Sequence, residues 1–295
     1  MDTINVCAVT VTYGDRFHLL SKVLDALVKE EVDKVIVVDN SSSEETKKQL
    51  VNLQEKQKGL LSVIYMSENT GSSGGFKAGL EAAKECGDTE FIWLLDDDNV
   101  PELGALEKLK NFWAESPEPN KESRLCLLSY RDSRPEYKAL AKLDSDSIVP
   151  VLGAINSFLG FNLISPFSMR GKNKVLGADL KESDIFMDKN HGKLPVAPYG
   201  GMFFNELLLD TIGYPDEKYY LYCDDYEFSH RIIKNGGAII LILDSHIADI
   251  DVSENKGFES NDMNLHRLYY STRNLIYFQK SLADNNFFFS LNHWM

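Results

Sequence analysis

Five apolar residues followed at once by three carboxylates, Phe91-Ile92-Trp93-Leu94-Leu95-Asp96-Asp97-Asp98, set the strongest limit on how this chain can fold. A run that is apolar on both alternating faces needs cover on both sides, and a strand finds that inside a sheet flanked by helices. Three adjacent ionised Asp side chains repel one another unless a positive charge stands among them. A hard divalent cation, Mg2+ or Mn2+, suits carboxylate oxygens and is usually held by one or two of them together with phosphate oxygens of a substrate. Taken alone, the triplet is equally consistent with a solvated acidic turn, with Asn99-Val100-Pro101 opening a helix.

The residues around this run extend the same pattern. Ile4 to Thr12, Val35 to Val38 and Leu61 to Met66 are further apolar segments of strand length. Between them, Leu19, Leu20, Val23, Leu24 and Leu27 recur at helical spacing within Phe17 to Val28, and a second helix is expected over Glu44 to Lys56. The glycine-rich stretch Asn69 to Gly79 then leads into a third helix, to about Glu85. The order β-α-β-α-β-α-β predicts a Rossmann-like, mostly parallel central sheet flanked by helices, with ligands beyond the carboxyl ends of the strands. Thr12-Tyr13, Asp39-Asn40, Asn69 to Gly75 and Asp96 to Asp98 all fall at that edge.

The second half is less regular. A helix is expected from Glu102 to about Glu115, a strand from Leu125 to Ser129, a mobile loop over 131–150 and strands within 151–195. Tyr199-Gly200-Gly201-Met202-Phe203-Phe204 precedes a helix from Asn205 to Ile212, and Asp224-Asp225-x-Glu227 opens a helix to about Lys234. A strand follows from Ala238 to Leu243, with His246 just past its end. We divide a single domain over 1–295 into a first half (1–100), a second half (101–265) and a C-terminal helical segment (266–295).

The balance of 45 acidic against 31 basic residues, a net charge of −14, excludes a protein that binds nucleic acid by neutralising phosphates. An anionic substrate would need local basic groups or a metal. Cys7, Cys86, Cys126 and Cys223 are scattered, with neither zinc-ligand nor disulfide spacing, so a reducing cytoplasmic setting is expected. The N-terminus has only a short apolar run, Val6 to Val11, and makes neither a signal peptide nor a membrane span. The aromatic tail from Phe287 to Met295 is expected to pack in the core or in an oligomer contact. Peripheral contact with the inner face of the cytoplasmic membrane is the alternative.

The Asn69 to Gly79 segment is neither a dinucleotide fingerprint, which should follow the first strand, nor a Walker loop, because Lys77-Ala78 stands where Lys-Ser or Lys-Thr is needed. Its glycines could bring backbone amides up to a nucleotide or diphosphate at a helix N-terminus, or serve only a tight packing turn. Asp224, Asp225 and Glu227 are more acid than one helix cap requires, and an ionised carboxylate there could take a proton from an attacking hydroxyl. His246 fits either a structural role or an imidazole joining two carboxylates on a metal.

Asp39 after its Val-Ile-Val-Val strand, Asn69-x-Gly-x-x-Gly-Gly-Phe, Asp96-Asp97-Asp98, Asp224-Asp225-x-Glu227 with Arg231, His246, and Tyr269-Tyr270-x-x-Arg273-Asn274 occur in that order. The series resembles the family 2 inverting glycosyltransferases of the GT-A fold, most closely the galactofuranosyltransferase and rhamnosyltransferase branch. The resemblance implies that Thr12, Tyr13 and Asp39 lie against the nucleoside, and that Asn69, Gly71, Gly74 and Gly75 line its pocket. Asp96 and Asp98 with His246 would hold Mn2+ or Mg2+, and Asp97 would face the donor's ribose or sugar. Asp225 would be the catalytic base, with Asp224, Glu227, Gly200 and Gly201 on the acceptor side or supporting it, and Arg273 near the diphosphate. The implied donor is UDP-galactofuranose, with dTDP-rhamnose as rival. The acceptor would be a glycan or lipid-linked saccharide, in surface polysaccharide synthesis.

Two other classes compete. A nucleotidyltransferase also uses such a sheet with acidic metal ligands, but it carries a basic glycine-rich loop after the first strand, where this chain has Thr12-Tyr13-Gly14-Asp15. A non-catalytic nucleotide-sugar or glycan-binding protein would keep the fold without turnover.

Overall fold

The computed structural model describes residues 4–87, 89–153, 156, 158, 189–251 and 265–294. Its nine-stranded sheet begins with β1 (Val6–Thr12), β2 (Lys34–Asp39), β3 (Leu61–Tyr65) and β4 (Phe91–Asp96). It continues with β5 (Asn99–Pro101), β6 (Leu125–Arg131), β7 (His191–Leu194), β8 (Met202–Asn205) and β9 (Ala238–Asp249). The strand order is β3-β2-β1-β4-β8-β6-β9-β5, with β7 on the side of β9. The first four strands are mutually parallel, and β8 runs antiparallel between β4 and β6.

The helices that cover this sheet follow from apolar spacing. In α1 (Phe17–Lys29), Leu19, Leu20, Val23, Leu24 and Leu27 are all buried. In α2 (Glu44–Lys56), the Ser43 hydroxyl caps the amide of Thr46 at 3.3 Å, and Glu44 and Glu45 sit in the first turn, where the helix dipole favours them. Successive residues of β4 split between two cores, as a doubly covered strand requires. Ile92 and Leu94 pack with Phe76 and Leu80 of α3 (Gly71–Cys86), whereas Phe91, Trp93 and Leu95 pack with α1 and with Leu106, Leu109 and Trp113 of α4 (Ala105–Glu115).

Several boundaries depart from expectation. Gly71 to Gly75 are the first turns of α3, not a loop before it. Gly75 lies so near β1 that a Cβ would stand 2.5 Å from Val11, and one on Gly79 would stand 2.5 Å from Val9. These glycines let α3 press onto the sheet, which is the packing alternative. The segment expected to be mobile holds α5 (Lys121–Arg124) just before it, then α6 (Pro135–Lys142) and α7 (Val149–Leu152) within it. In α6, Tyr137, Leu140 and Ala141 supply a short apolar face too brief to register as a period. Of the strands expected within 151–195, only β7 falls in the described residues; most of that segment lies outside them.

After β8 come α8 (Leu208–Ile212), a 3₁₀ turn at Glu217–Tyr219 and α9 (Asp224–Lys234). The chain closes with α10 (Leu265–Ser281) and α11 (Asn286–Trp294). The aromatic tail is two-sided: Phe289 is buried, whereas Phe287 is 69% and Trp294 85% exposed. Core packing accounts for only part of it. No helix among the described residues is long and apolar enough to cross a membrane.

Candidate active site

Parallel registry aligns the carboxyl ends of the strands. Thr12 pairs with Asp39 across β1 and β2, and Val11 pairs with Asp96 across β1 and β4. The sheet edge therefore gathers Asp39 and Asp96, and the two-residue turn from β4 to β5 adds Asp97 and Asp98.

Two guanidinium groups meet these acids. Arg16, just before α1, donates through Nε to both Asp97 oxygens at 3.0 Å, through Nη1 to Asp251 at 2.6 Å, and through Nη2 to Asp98 at 3.3 Å. Arg131, at the end of β6, donates from Nη1 to Asp96 at 3.3 Å, to Asn99 at 3.3 Å and to Asp249 at 3.4 Å. Gly200 closes the floor. A Cβ there would stand 1.9 Å from Asn99 Oδ1, 2.7 Å from Asp96 Oδ2 and 3.1 Å from Arg131 Nη1. Gly201 is held between β4 and β6: its amide donates to the Leu94 carbonyl at 2.7 Å, and its own carbonyl accepts from Ser129 at 3.0 Å.

Asp97 is turned inward, to Thr12 and Arg16. It is 4% exposed, and it accepts from the Thr12 hydroxyl at 2.7 Å besides Arg16, so Thr12 and Asp97 brace the edge from within. Tyr13 is exposed at the rim, with Arg16 lying over its ring. Asp39 is fully buried; Oδ1 accepts from the Ser42 amide at 2.8 Å, and Oδ2 has no hydrogen-bond partner. A buried carboxylate oxygen without a donor calls for one. Beside it, the Asn40 amide group bonds Gly71 and Thr70, and Asn69 receives the Gly71 amide at 2.9 Å. Asn69 thus shapes the entry to α3.

The second acidic cluster lies at the N-terminus of α9. The Asp224 carboxylate accepts from the Ser72 hydroxyl of α3 at 2.6 Å and is buried. Asp225 keeps part of its surface open and accepts from the Tyr226 amide at 2.8 Å. Enclosure by its neighbours, the charge of Asp224 and, at longer range, that of Asp96 all push its pKa upward; Arg131 opposes them. Tyr137 and Tyr226 stand beside it with hydroxyls 2.9 Å apart. Glu227 instead pairs with Arg231 at 3.3 Å, one turn along α9, and is a helix-stabilising partner rather than part of the acceptor side.

His246 and Arg273 also depart from expectation. β9 continues past Leu243 to Asp249 through a bulge opposite Ser129 and Tyr130, so His246 lies within the strand, paired with Tyr130 and 3.7 Å from Asp132. It is three residues, about 10 Å of strand, from Asp249, which is the residue set against Asn99. His246 therefore does not join Asp96 and Asp98. Arg273 is directed at the Lys218 and Tyr219 carbonyls, at 2.7 and 3.0 Å, under a stack of Tyr269, Tyr270 and Tyr277. Its guanidinium thus braces the loop before Asp224.

Asp98 supplies the test of whether a metal suits this edge. Burial and the charges of Asp96 and Asp97 push its pKa up to about 7, against the opposing charge of Arg16. Two hard carboxylates short of positive charge fit a divalent cation that takes its remaining ligands from phosphate oxygens. Among the described residues, no three His, Cys, Asp or Glu side chains are grouped to hold a metal by themselves.

Known proteins share this arrangement, most clearly over the N-terminal part. The model of Glycosyl transferase family 2 matches residues 7–118, from β1 past α4. Over that segment the chain is similar to the family 2 glycosyltransferases. A galactofuranosyltransferase, GlfT1 of Mycolicibacterium smegmatis, is 26% identical over 234 residues, covering 78% of this chain and 66% of the relative. The chain thus spans just under two thirds of that protein. Among solved structures, GalNAc-T7 with UDP, GalNAc and Mn2+ superposes with a TM-score of 0.57 at 13% identity, over 83% of this chain and 43% of that one. S. aureus TarS 1-349 superposes with a TM-score of 0.54 at 15% identity, over 96% and 67%. A mannosyltransferase of Pyrobaculum calidifontis, in complex with GDP-Man and Mn2+, gives 0.54 at 16% identity, over 83% and 56%. The fold is GT-A, a mostly parallel central sheet flanked by helices.

Sequence reading missed Arg16, Arg131, Asn99 and Ser72. A lone Arg after a strand or in a charged stretch has no spacing that marks it; only strand order brings Arg131 to Asp96. The raised carboxyls also carry a pH consequence. A carboxyl whose folded-state pKa lies above its unfolded value near 3.8 contributes stability that is full below that value and lost as pH rises through the folded one. Asp98, Asp224 and Asp225 share this sign. Melting temperature without metal should therefore fall between about pH 5 and about pH 7.5, and Mn2+ should restore more at the higher pH. Equal effects of Mn2+ at both pH values, in a thermal-shift series, would contradict this account of the acid cluster.

Proposed function

We propose that this chain is a metal-dependent, inverting glycosyltransferase. It moves a sugar from a nucleoside diphosphate donor, UDP-galactofuranose in the first instance, to a hydroxyl of a glycan or lipid-linked saccharide. The observation that carries the reading is the meeting of two acid sets on one sheet edge: Asp96 and Asp98 beside Arg131, with Asp225 within electrostatic reach of both Asp96 and Arg131. One set is suited to a diphosphate with its cation, the other to an incoming hydroxyl.

Each residue has a stated task. Asp39 offers its unpartnered oxygen to an imide N–H, which uracil and thymine both present, and Tyr13 offers a ring face at the rim. Asp96 and Asp98 would hold Mn2+ or Mg2+, which when bound offsets charge on the departing diphosphate as a Lewis acid. Asp225 accepts the proton of the acceptor hydroxyl. As the new bond to the anomeric carbon forms on one face, the bond to the diphosphate oxygen breaks on the other, so the configuration inverts in one displacement. The raised pKa of Asp225 makes it a stronger base than an ordinary carboxylate. Similarity to a galactofuranosyltransferase supports that donor, with dTDP-rhamnose as the alternative that the same imide contact would admit.

Calorimetric titration with UDP and with dTDP, each with and without Mn2+, tests the reading. Tight UDP binding that requires Mn2+ is expected, followed by turnover of UDP-galactofuranose. Preference for dTDP would move the assignment to rhamnosyl transfer, and binding of neither would sink the enzyme.

A further inference from the structure

The four residues before Asp224 hold a backbone that a chain does not adopt without support. Tyr220 has φ 62° and ψ −62°, and the Leu221 amide donates to the Tyr219 carbonyl at 2.7 Å, a γ-turn of the rare, strained hand. Tyr222 at φ 67° and Cys223 at φ 59° are also left-handed, and none of the three is glycine. Such a segment persists only where its surroundings over-determine it.

The source of that constraint is on α10. Asn274 is fully buried, and its Nδ2 lies 2.6 Å from the Tyr219 carbonyl, 2.7 Å from that of Leu221 and 2.9 Å from that of Tyr222. Its Oδ1 accepts from Arg273 Nε at 2.9 Å, which fixes the amide with its nitrogen toward the loop, while Arg273 takes the Lys218 carbonyl. The Ser73 amide of α3 takes the Tyr220 carbonyl at 3.3 Å. The Glu227 amide takes that of Cys223 at 2.9 Å. Every carbonyl from Lys218 to Cys223 therefore has a donor, and the two N–H bonds of one side chain are shared among three of them.

We infer that Asn274 is a positioning residue for transfer: its amide group holds the strained 219–223 turn that delivers Asp224 and Asp225 to the N-terminus of α9. This rests on Asp225 acting as the base. Asn274 touches no reacting atom, so its loss should displace the base without emptying the donor site.

Asn274→Asp keeps the shape but replaces the donating group by an oxygen facing three carbonyls; Asn274→Ala removes it, and Asn274→Ser restores one donor. With wild-type transfer as reference, kcat should fall roughly 10- to 100-fold in the Asp and Ala variants, with a smaller fall for Ser, while donor KM and UDP affinity stay within about twofold. Leu50→Val, fully buried on α2 and outside the cluster that packs on the turn, controls for packing: it should lower the melting temperature and leave kcat alone. Equal kcat losses in the Leu50 and Asn274 variants, or unchanged kcat in Asn274→Asp, would overturn the inference. Amide exchange across 219–226 provides a readout independent of turnover. It should quicken in Asn274→Asp while the sheet amides stay protected, and unchanged exchange there refutes the clamp. A wild-type protein that transfers no sugar would refute the function itself, and the exchange result would still decide the clamp.

Discussion

Asp225→Asn should leave UDP and Mn2+ binding intact and lower sugar transfer by about 10³-fold, within the range that a positioned general base supplies. The substitution is close to isosteric, and an Asn oxygen can still accept from the Tyr226 amide, as Asp225 does at 2.8 Å. It removes one of two like charges at the start of α9, where Asp224 remains tied to Ser72. Thermal stability should therefore hold or rise, which separates lost chemistry from lost fold. The wild-type rate should fall with acid as Asp225 takes up a proton. Because its pKa is raised by burial and by Asp224, that acid limb lies above the range of an ordinary carboxylate. Ordinary turnover by Asp225→Asn, measured at saturating donor, would remove Asp225 from the mechanism.

Gly200→Ala should weaken Mn2+-dependent UDP binding by about 100-fold, the upper range seen when groups that orient metal ligands are disturbed. The new methyl carbon would overlap Asn99 Oδ1 at 1.9 Å and crowd Asp96 Oδ2 at 2.7 Å. Both oxygens belong to the network that Arg131 holds, so relief of the overlap must move the carboxylate or the guanidinium. The φ of Gly200 lies outside the left-handed region, so the effect comes from the added carbon and not from backbone strain. A stability loss of roughly 1–3 kcal/mol should accompany it, as for other overpacked interiors. Isothermal titration with UDP in Mn2+ checks the first figure and denaturant unfolding the second. Unaltered nucleotide affinity would mean that the floor under Asp96 is not part of the donor site.

The first hundred residues were legible because apolar runs of strand length and helices of regular spacing report local structure directly. Val35 to Val38 and Phe91 to Leu95 could only be covered strands, and the polar residues that end them could only gather at one edge. Asp96 was expected at that edge for this reason, whereas Asp225, at the start of α9, was singled out only through the family resemblance. The glycine-rich stretch was misjudged as a loop because glycine permits both a turn and close packing; the nearness of Val9 and Val11 to α3 decides between them. α6 and the far half of β9 were missed because each depends on non-local partners, Tyr226 for the one and β5, β6 and β7 for the other.

By itself the sequence determined the succession of strands and helices in the first half, their parallel sense and the acids at their carboxyl ends, since these follow from periodicity and chain direction. Only the tertiary structure decided which cations meet those acids. Arg16 and Arg131 lie 81 and 35 residues from their carboxylate partners, Asp97 and Asp96, and neither has a local pattern to announce it. It also turned Arg273 toward a backbone loop and His246 away from the triplet, because a strand bulge and a helix packed from the far end of the chain set those directions. Side-chain partners chosen across such separations are a property of strand order and packing, which no window of sequence contains.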